Sequence, residues 1–234
     1  MIDTTFDFRT EAGIRDSDTH SPTLRSYHQI LWSKALPNGE KLQLQEDSKK
    51  YLLADSPIAG LRLTSDSITN SMASHKKLQH IVPNLPGGLI EQVKSAGSKI
   101  GSRLVFPGDQ IDGGKTINVL RGFNGKIRDR FDLTLECIRR HYLGTQSPLS
   151  SALARYGEFF ELFRDFDGYV EFFLLQDLIQ AGKVKFFTDV DWPVTGGPYP
   201  QTVRDYELYA KRTIEFVVQR NERIKRWSEL EQLG

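Results

Sequence analysis

The densest concentration of chemically capable side chains is the run Arg121–Tyr142, RGFNGKIRDRFDLTLECIRRHY. It carries seven cationic or potentially cationic side chains and three carboxylates. Such a run could be a salt-bridged surface helix or the wall of an anion site. Arg128–Asp132 and Glu136–Arg140 stand at i, i+4 as opposite charges, worth about 0.2–0.5 kcal/mol each when exposed. Basic residues at Arg139-Arg140-His141 suit the negative end of a helix. Arg121 and Asn124 remain, on a glycine-containing turn after an expected strand, a common position for ligand contacts. Glu136 is a candidate acid or base.

Other positions invite a similar reading. Arg25, His28 and Trp32 recur at i, i+3 and i+7. A cation, a titratable ring and a flat aromatic on one helix face could bind an anionic, planar ligand such as a nucleotide. The alternative is a half-buried Trp32 covered by its two neighbours. Asp66, in Thr64-Ser65-Asp66-Ser67, could act as acid or base, or Asp66 or Ser67 could cap a following helix. Gly113-Gly114-Lys115-Thr116 resembles a phosphate loop only superficially. That motif needs a glycine six residues before its lysine, where Asp109 stands, and here an expected strand follows instead of a helix. Lys115 could still reach a ligand. Cys137, the single cysteine, sits beside an apolar stripe and reads as a buried thiol. The five histidines show no metal-binding spacing, so no metal site is expected. His75 and His80 read as a solvated helix surface, and no cofactor is indicated.

Composition narrows the classes. The 234 residues are 38% hydrophobic and 26% charged, with a net charge of +1, as for a soluble globular protein. That balance argues against generic nucleic-acid binding, which needs a basic excess. One cysteine excludes an intrachain disulfide. The chain has neither a signal-peptide pattern nor an apolar run of the roughly 20 residues a membrane span needs. A cytoplasmic location is expected.

The elements that must position these residues follow from periodicity and punctuation. Ser21-Pro22 starts a helix to Lys34, with Leu24, Tyr27 and Leu31 inward. Short strands are expected at Lys41–Gln45, Tyr51–Ala54, Leu61–Thr64, Arg103–Phe106 and Thr116–Leu120. Helices are expected over 69–82, over Leu89–Ala96 and from Ile127 to Tyr142. Others run from Ser147-Pro148 to about Arg164 and from Gly168 to Ala181. A strand over Lys183–Thr188 and a loop over Asp191–Pro200 follow. A long helix runs from about Thr202 to Leu230. Phe159, Phe160, Phe163, Phe166, Tyr169, Phe172 and Phe173 make an aromatic block read as core, or as a partner surface if exposed. The fold class is α+β: a small mixed or antiparallel sheet from the N-terminal half, with a helical C-terminal half packed on it. One domain over 1–234 is expected, with a weak boundary near 83–88.

Several segments together carry a resemblance: residues 19–39, 63–68, 106–118, 168–179 and, most specifically, RGFNGKIRDRFDLTLECIRRHYLG at 121–144. The chain resembles a family of bacterial proteins of about this length that carries only an unknown-function label. The resemblance implies a bacterial, full-length, single-domain protein and no particular activity. From the residues, the leading expectation is an enzyme acting on a nucleotide or another phosphate-bearing ligand, by group transfer or hydrolysis. A toxin or phage-defence role fits by association. Arg25, Trp32, Lys115, Arg121 and Asn124 would hold the ligand, and His28, Asp66 and Glu136 are the catalytic candidates. That reading needs Arg25, His28 and Arg121 to converge. The alternative is a non-catalytic binding or assembly module, including a homo-oligomer, that uses exposed aromatics and the basic end of the last helix, Arg220 to Trp227.

Overall fold

The computed structural model describes residues 2–189, 192 and 197–231. Two single helical turns, α1 (Arg9–Ala12) and α2 (Ser17–His20), lead into α3 (Pro22–Trp32). The Ser21 hydroxyl accepts the Leu24 N–H at 3.1 Å, so the cap-and-proline start is realised. The strands are β1 (Gln43–Glu46), β2 (Leu52–Ser56), β3 (Arg62–Ser67) and, after α4 (Leu89–Gly97), β4 (Arg103–Pro107). They pair in the order β1-β2-β3-β4, antiparallel throughout.

The helical half then comprises α5 (Ile117–Phe123), α6 (Phe131–Tyr142), α7 (Ser150–Arg155), α8 (Gly157–Glu161) and α9 (Phe166–Phe172). A minimal hairpin, β5 (Ile179–Gln180) and β6 (Lys183–Val184), precedes α10 (Val203–Leu230). Helix α10 opens with a capping box, the Thr202 hydroxyl and the Asp205 carboxylate each taking the other's backbone N–H. It buries Tyr206, Tyr209, Phe216, Val217 and Ile224. The aromatic block is core: Phe163, Tyr169 and Phe173 are fully enclosed, and Trp32 of α3 meets Phe173 with ring centroids 5.1 Å apart.

Several local expectations are corrected. Residues 69–82 do not form a helix. The Asn70 carboxamide accepts the Met72 N–H and His75 Nδ1 accepts the Lys77 N–H, and these local bonds compete with helical ones. Only two single 3-10 turns result, Lys76–Leu78 and Val82–Asn84. Asp66 and Ser67 are accordingly strand residues, not caps. The expected strand at Thr116–Leu120 is α5, because Thr116 caps it by accepting the Val119 N–H at 3.3 Å. The helix expected from Ile127 starts at Phe131, because Arg128 and Asp129 hold left-handed φ angles of 44° and 60°. The helix expected after Ser147-Pro148 is broken at Tyr156 into α7 and α8. The one expected to Ala181 stops at Phe172, and Ala181-Gly182 turns the hairpin instead. The strand over Lys183–Thr188 shrinks to Lys183–Val184. Of the expected Asp191–Pro200 loop, Asp191 and residues 193–196 lie outside the described residues.

Arg220 binds these layers together. Its guanidinium, fully buried in α10, donates to the Phe173 carbonyl at 2.9 Å, to Gly101 at 2.9 Å and to Arg103 at 2.8 Å. It also lies over the Trp32 ring, 5.7 Å from the centroid. Each buried acceptor left unpaired costs about 1–3 kcal/mol. Arg220→Leu is therefore expected to lose about 3 kcal/mol or more in urea unfolding, as a lower midpoint at unchanged slope. A loss below about 1 kcal/mol would show that the guanidinium is not the tie described here.

Candidate functional site

Burial silences most of the chemically capable residues. Trp32 is 0% exposed, with Phe172, Phe173, Lys34 and Arg220 against its rings, so it presents no face to a ligand. Its indole N–H donates to His28 Nδ1 at 2.9 Å. That fixes the neutral His28 tautomer with its proton on Nε2, and burial pushes the ring's pKa down to about 3. Glu136 is enclosed and holds both Arg139 and Arg140, at 2.7 and 3.0 Å. Cys137 is buried and its thiol is pushed up to about 12 by that burial. Lys115 is exposed, over the Phe123 ring.

Arg25, His28 and Arg121 do not converge. Arg25 pairs with Glu46 at 2.9 Å and donates to the Asp18 carbonyl at 2.8 Å. With His28 and Asp18 it lines a small enclosed cavity of about 60 Å³. Arg121 is enclosed elsewhere, paired with Asp66, donating to the Thr134 hydroxyl at 2.9 Å and stacked on Phe106 and Phe131. The two groups touch β3 at neighbouring residues, Ser65 and Asp66. The aromatic block is buried, and Arg220 and Arg223 are spent inside the chain, Arg223 on Asp177 at 2.8 Å. The expected Arg128–Asp132 pair is replaced by Arg130–Asp132, since Arg128 lies outside α6.

What converges instead is a cleft of about 110 Å³ lined by Asn70, Ser74, His75, Arg128, Asp129 and Tyr199, with Met72 and Gly122. Two buried arginines and helix α10 set its walls. Arg121 donates to the Asp129 carbonyl at 3.3 Å, and its own carbonyl accepts the Asp129 N–H at 3.1 Å. The Asn124 carbonyl accepts the Arg128 N–H at 3.0 Å, and its carboxamide donates to Pro148, anchoring the turn. Arg130, paired with Asp132, donates to the carbonyl of Pro198, immediately before Tyr199. Helix α10, held by Arg220, reaches the third wall: Tyr206 and Tyr209 donate to the carbonyls of Ser71 and Asn70.

Three non-glycine residues of this cleft, Met72, Arg128 and Asp129, have left-handed backbone. Such positions cost of order 1–3 kcal/mol each and gather at functional sites. The Tyr199 hydroxyl lies 2.6 Å from His75 Nε2, with the rings stacked at 4.1 Å. Since His75 Nδ1 accepts from Lys77, the neutral ring donates from Nε2 to Tyr199. The Tyr199 O–H is thereby free to donate into the cleft. Burial, reinforced by Arg128 and Lys77, lowers the His75 pKa. Burial raises the Asp129 carboxyl, against the pull of Arg121 and with a push from Asp66. The cleft thus holds a guanidinium, a hydroxyl donor and a carboxyl that keeps its proton more readily than usual. It could bind an anionic group and exchange a proton with it. Among the described residues no group of three or more His, Cys, Asp and Glu could hold a metal ion, and no helix is long and apolar enough to cross a membrane.

In sequence terms His75 looked like a surface residue, and nothing local marks it otherwise. Its partner Tyr199 lies 124 positions away. Only Arg121 and Asn124 pointed here, and their part is to position the Arg128–Asp129 turn.

A family model described as a family of unknown function (DUF6994) matches residues 2–224. The chain belongs to that family. No curated protein matches it, and no solved structure matches it.

Asp18 supplies a test of the second, smaller cavity. Its carboxylate accepts the Ser65 N–H at 2.8 Å. Burial and neighbouring Asp16 push its carboxyl up to about 7 from 3.8. The folded state therefore binds the extra proton between those values, and stability falls as pH rises through them. Asp18→Asn is expected to flatten the stability profile between pH 4 and 7 and to be more stable than the wild type at pH 8, read by urea unfolding across pH.

Proposed function

We propose that the His75–Tyr199 and Arg128–Asp129 cleft is the active site of an enzyme acting on a phosphate-bearing ligand, nucleotides included. One observation carries this reading. A left-handed turn, clamped from behind by buried Arg121, delivers a cation and a carboxyl side by side to a histidine-backed tyrosine hydroxyl. Arg128 would hold a phosphoryl oxygen, in the charge-assisted manner that suits a guanidinium. The Tyr199 O–H and the Asn70 carboxamide would donate to other oxygens. Asp129 would transfer the proton in hydrolysis or group transfer, its raised carboxyl pKa bringing it nearer to neutrality. The cleft's volume fits the phosphoryl end of a ligand, with the remainder lying outside.

A thermal-shift panel of ATP, GTP, NAD, their products and inorganic phosphate tests binding. A ligand at 100 times its Kd adds about 2.7 kcal/mol, which raises Tm by roughly 5–10 °C for a chain of this size. Arg128→Ala is expected to abolish the shift. With the binding ligand, phosphorus NMR should show turnover that Asp129→Asn slows by about 100-fold or more, the range for a lost acid or base. A panel without a single shift, or turnover untouched in Asp129→Asn, would sink this reading.

A further inference from the structure

Lys34 follows α3 and stands apart from the cleft described above. Its ammonium group lies among three aromatic rings: Phe172 at 4.7 Å, Trp227 at 5.1 Å and Trp32 at 5.3 Å from the centroids. No described carboxylate lies within 4.0 Å of it. The charged groups around it come from several elements: Arg220 and Glu231 from α10 and its end, and Glu171 from α9. Lys34 also lines a cavity of about 500 Å³ whose other walls include Leu36, Pro37, Leu174 and Trp227, with Glu171 and Gln176 as further polar members. Arg164 stands at the same cavity, with its guanidinium largely exposed and paired to Asp165. Arg164 and Leu174 both have left-handed backbone, with φ of 66° and 56°.

A half-buried cation with no carboxylate in contact is poorly compensated, and a concave space of mixed apolar and polar lining beside it can hold a small molecule. We propose that this cavity binds a small organic carboxylate, whose apolar body packs on Trp227, Leu174 and Pro37 and whose carboxylate pairs with Lys34. The three rings favour the ammonium through their π faces. Burial and the nearby Arg220 oppose it more strongly and pull the amine down to about 7. A bound carboxylate would restore the ammonium. Binding above neutral pH must therefore take up a proton, and affinity must fall as pH rises past the free amine's value.

The test uses 1-naphthoate and its neutral counterpart 1-naphthamide, titrated calorimetrically into the full chain in Tris and in HEPES. Naphthoate is expected to bind at least tenfold more tightly than naphthamide at pH 7. At pH 8 the difference between the two buffers should report uptake approaching one proton per ligand bound. Lys34→Met should erase the preference for naphthoate, and Lys34→Arg should retain it without the proton uptake, since guanidinium stays charged. Asp129→Asn should bind naphthoate as the wild type does, which separates this site from the cleft. Equal binding of the two probes by wild type, no saturation by naphthoate at millimolar concentration, or unchanged naphthoate affinity in Lys34→Met would each overturn the proposal. The wild-type comparison of the two probes decides the matter even if Lys34→Met fails to fold.

Discussion

A guanidinium taken out of water must have its N–H groups met by protein acceptors, and Arg220 meets this constraint without a carboxylate. Its bonds run to carbonyls at Phe173, Gly101 and Arg103, where α9 has ended and β4 begins. Those carbonyls lie where regular structure leaves acceptors unpaired. One side chain therefore fixes α10 against the sheet, against the aromatic block and, through Trp32, against α3. Arg121 and Arg130 solve the same problem differently, each with an aspartate and with backbone carbonyls. In all three cases the acceptors belong to segments far apart in sequence.

The candidate cleft is a consequence of this arrangement. Arg121 clamps the Arg128–Asp129 turn, Arg130 holds the carbonyl before Tyr199, and α10 supports the Asn70–Ser71 backbone through two tyrosine hydroxyls. The arginines are positioning groups, and the residues facing the cleft are others. Left-handed backbone at Arg128 and Asp129 is tolerated because the surrounding bonds over-determine it. Lys34 completes the pattern from the opposite case. It is half-buried among aromatic rings, with no acceptor matched to it within the described residues.

Much of the fold was legible locally. Ser21-Pro22 announces α3, and the last helix is expected from about Thr202, where the capping box with Asp205 starts it, because a cap is made by residues three apart. The stripe Phe131, Leu135, Ile138 marks α6, because a helix must bury one face. The failures were also local in origin. Thr116 looked like a β-branched strand start and is a cap. Asn70 and His75 spend their side chains on nearby backbone, so an apparently helical segment never closes into a helix. The site was legible only in part. Arg121 and Asn124 stood out, but His28, Trp32, Cys137 and Glu136 attracted notice by type and proved to be enclosed.

The amino-acid sequence by itself determined the capped helices α3 and α10, the amphipathic α6, the four sheet strands, the apolar core and the membership of a family, since each depends on neighbours within a turn or two or on similarity along the chain. Tertiary structure alone decided which polar groups remain reactive. Burial removed the charge of His28 and raised the Cys137 thiol, whereas His75 gained a tyrosine partner from the far end of the chain. Solvation and long-range partnership set a side chain's proton affinity and accessibility, and neither is encoded in local spacing.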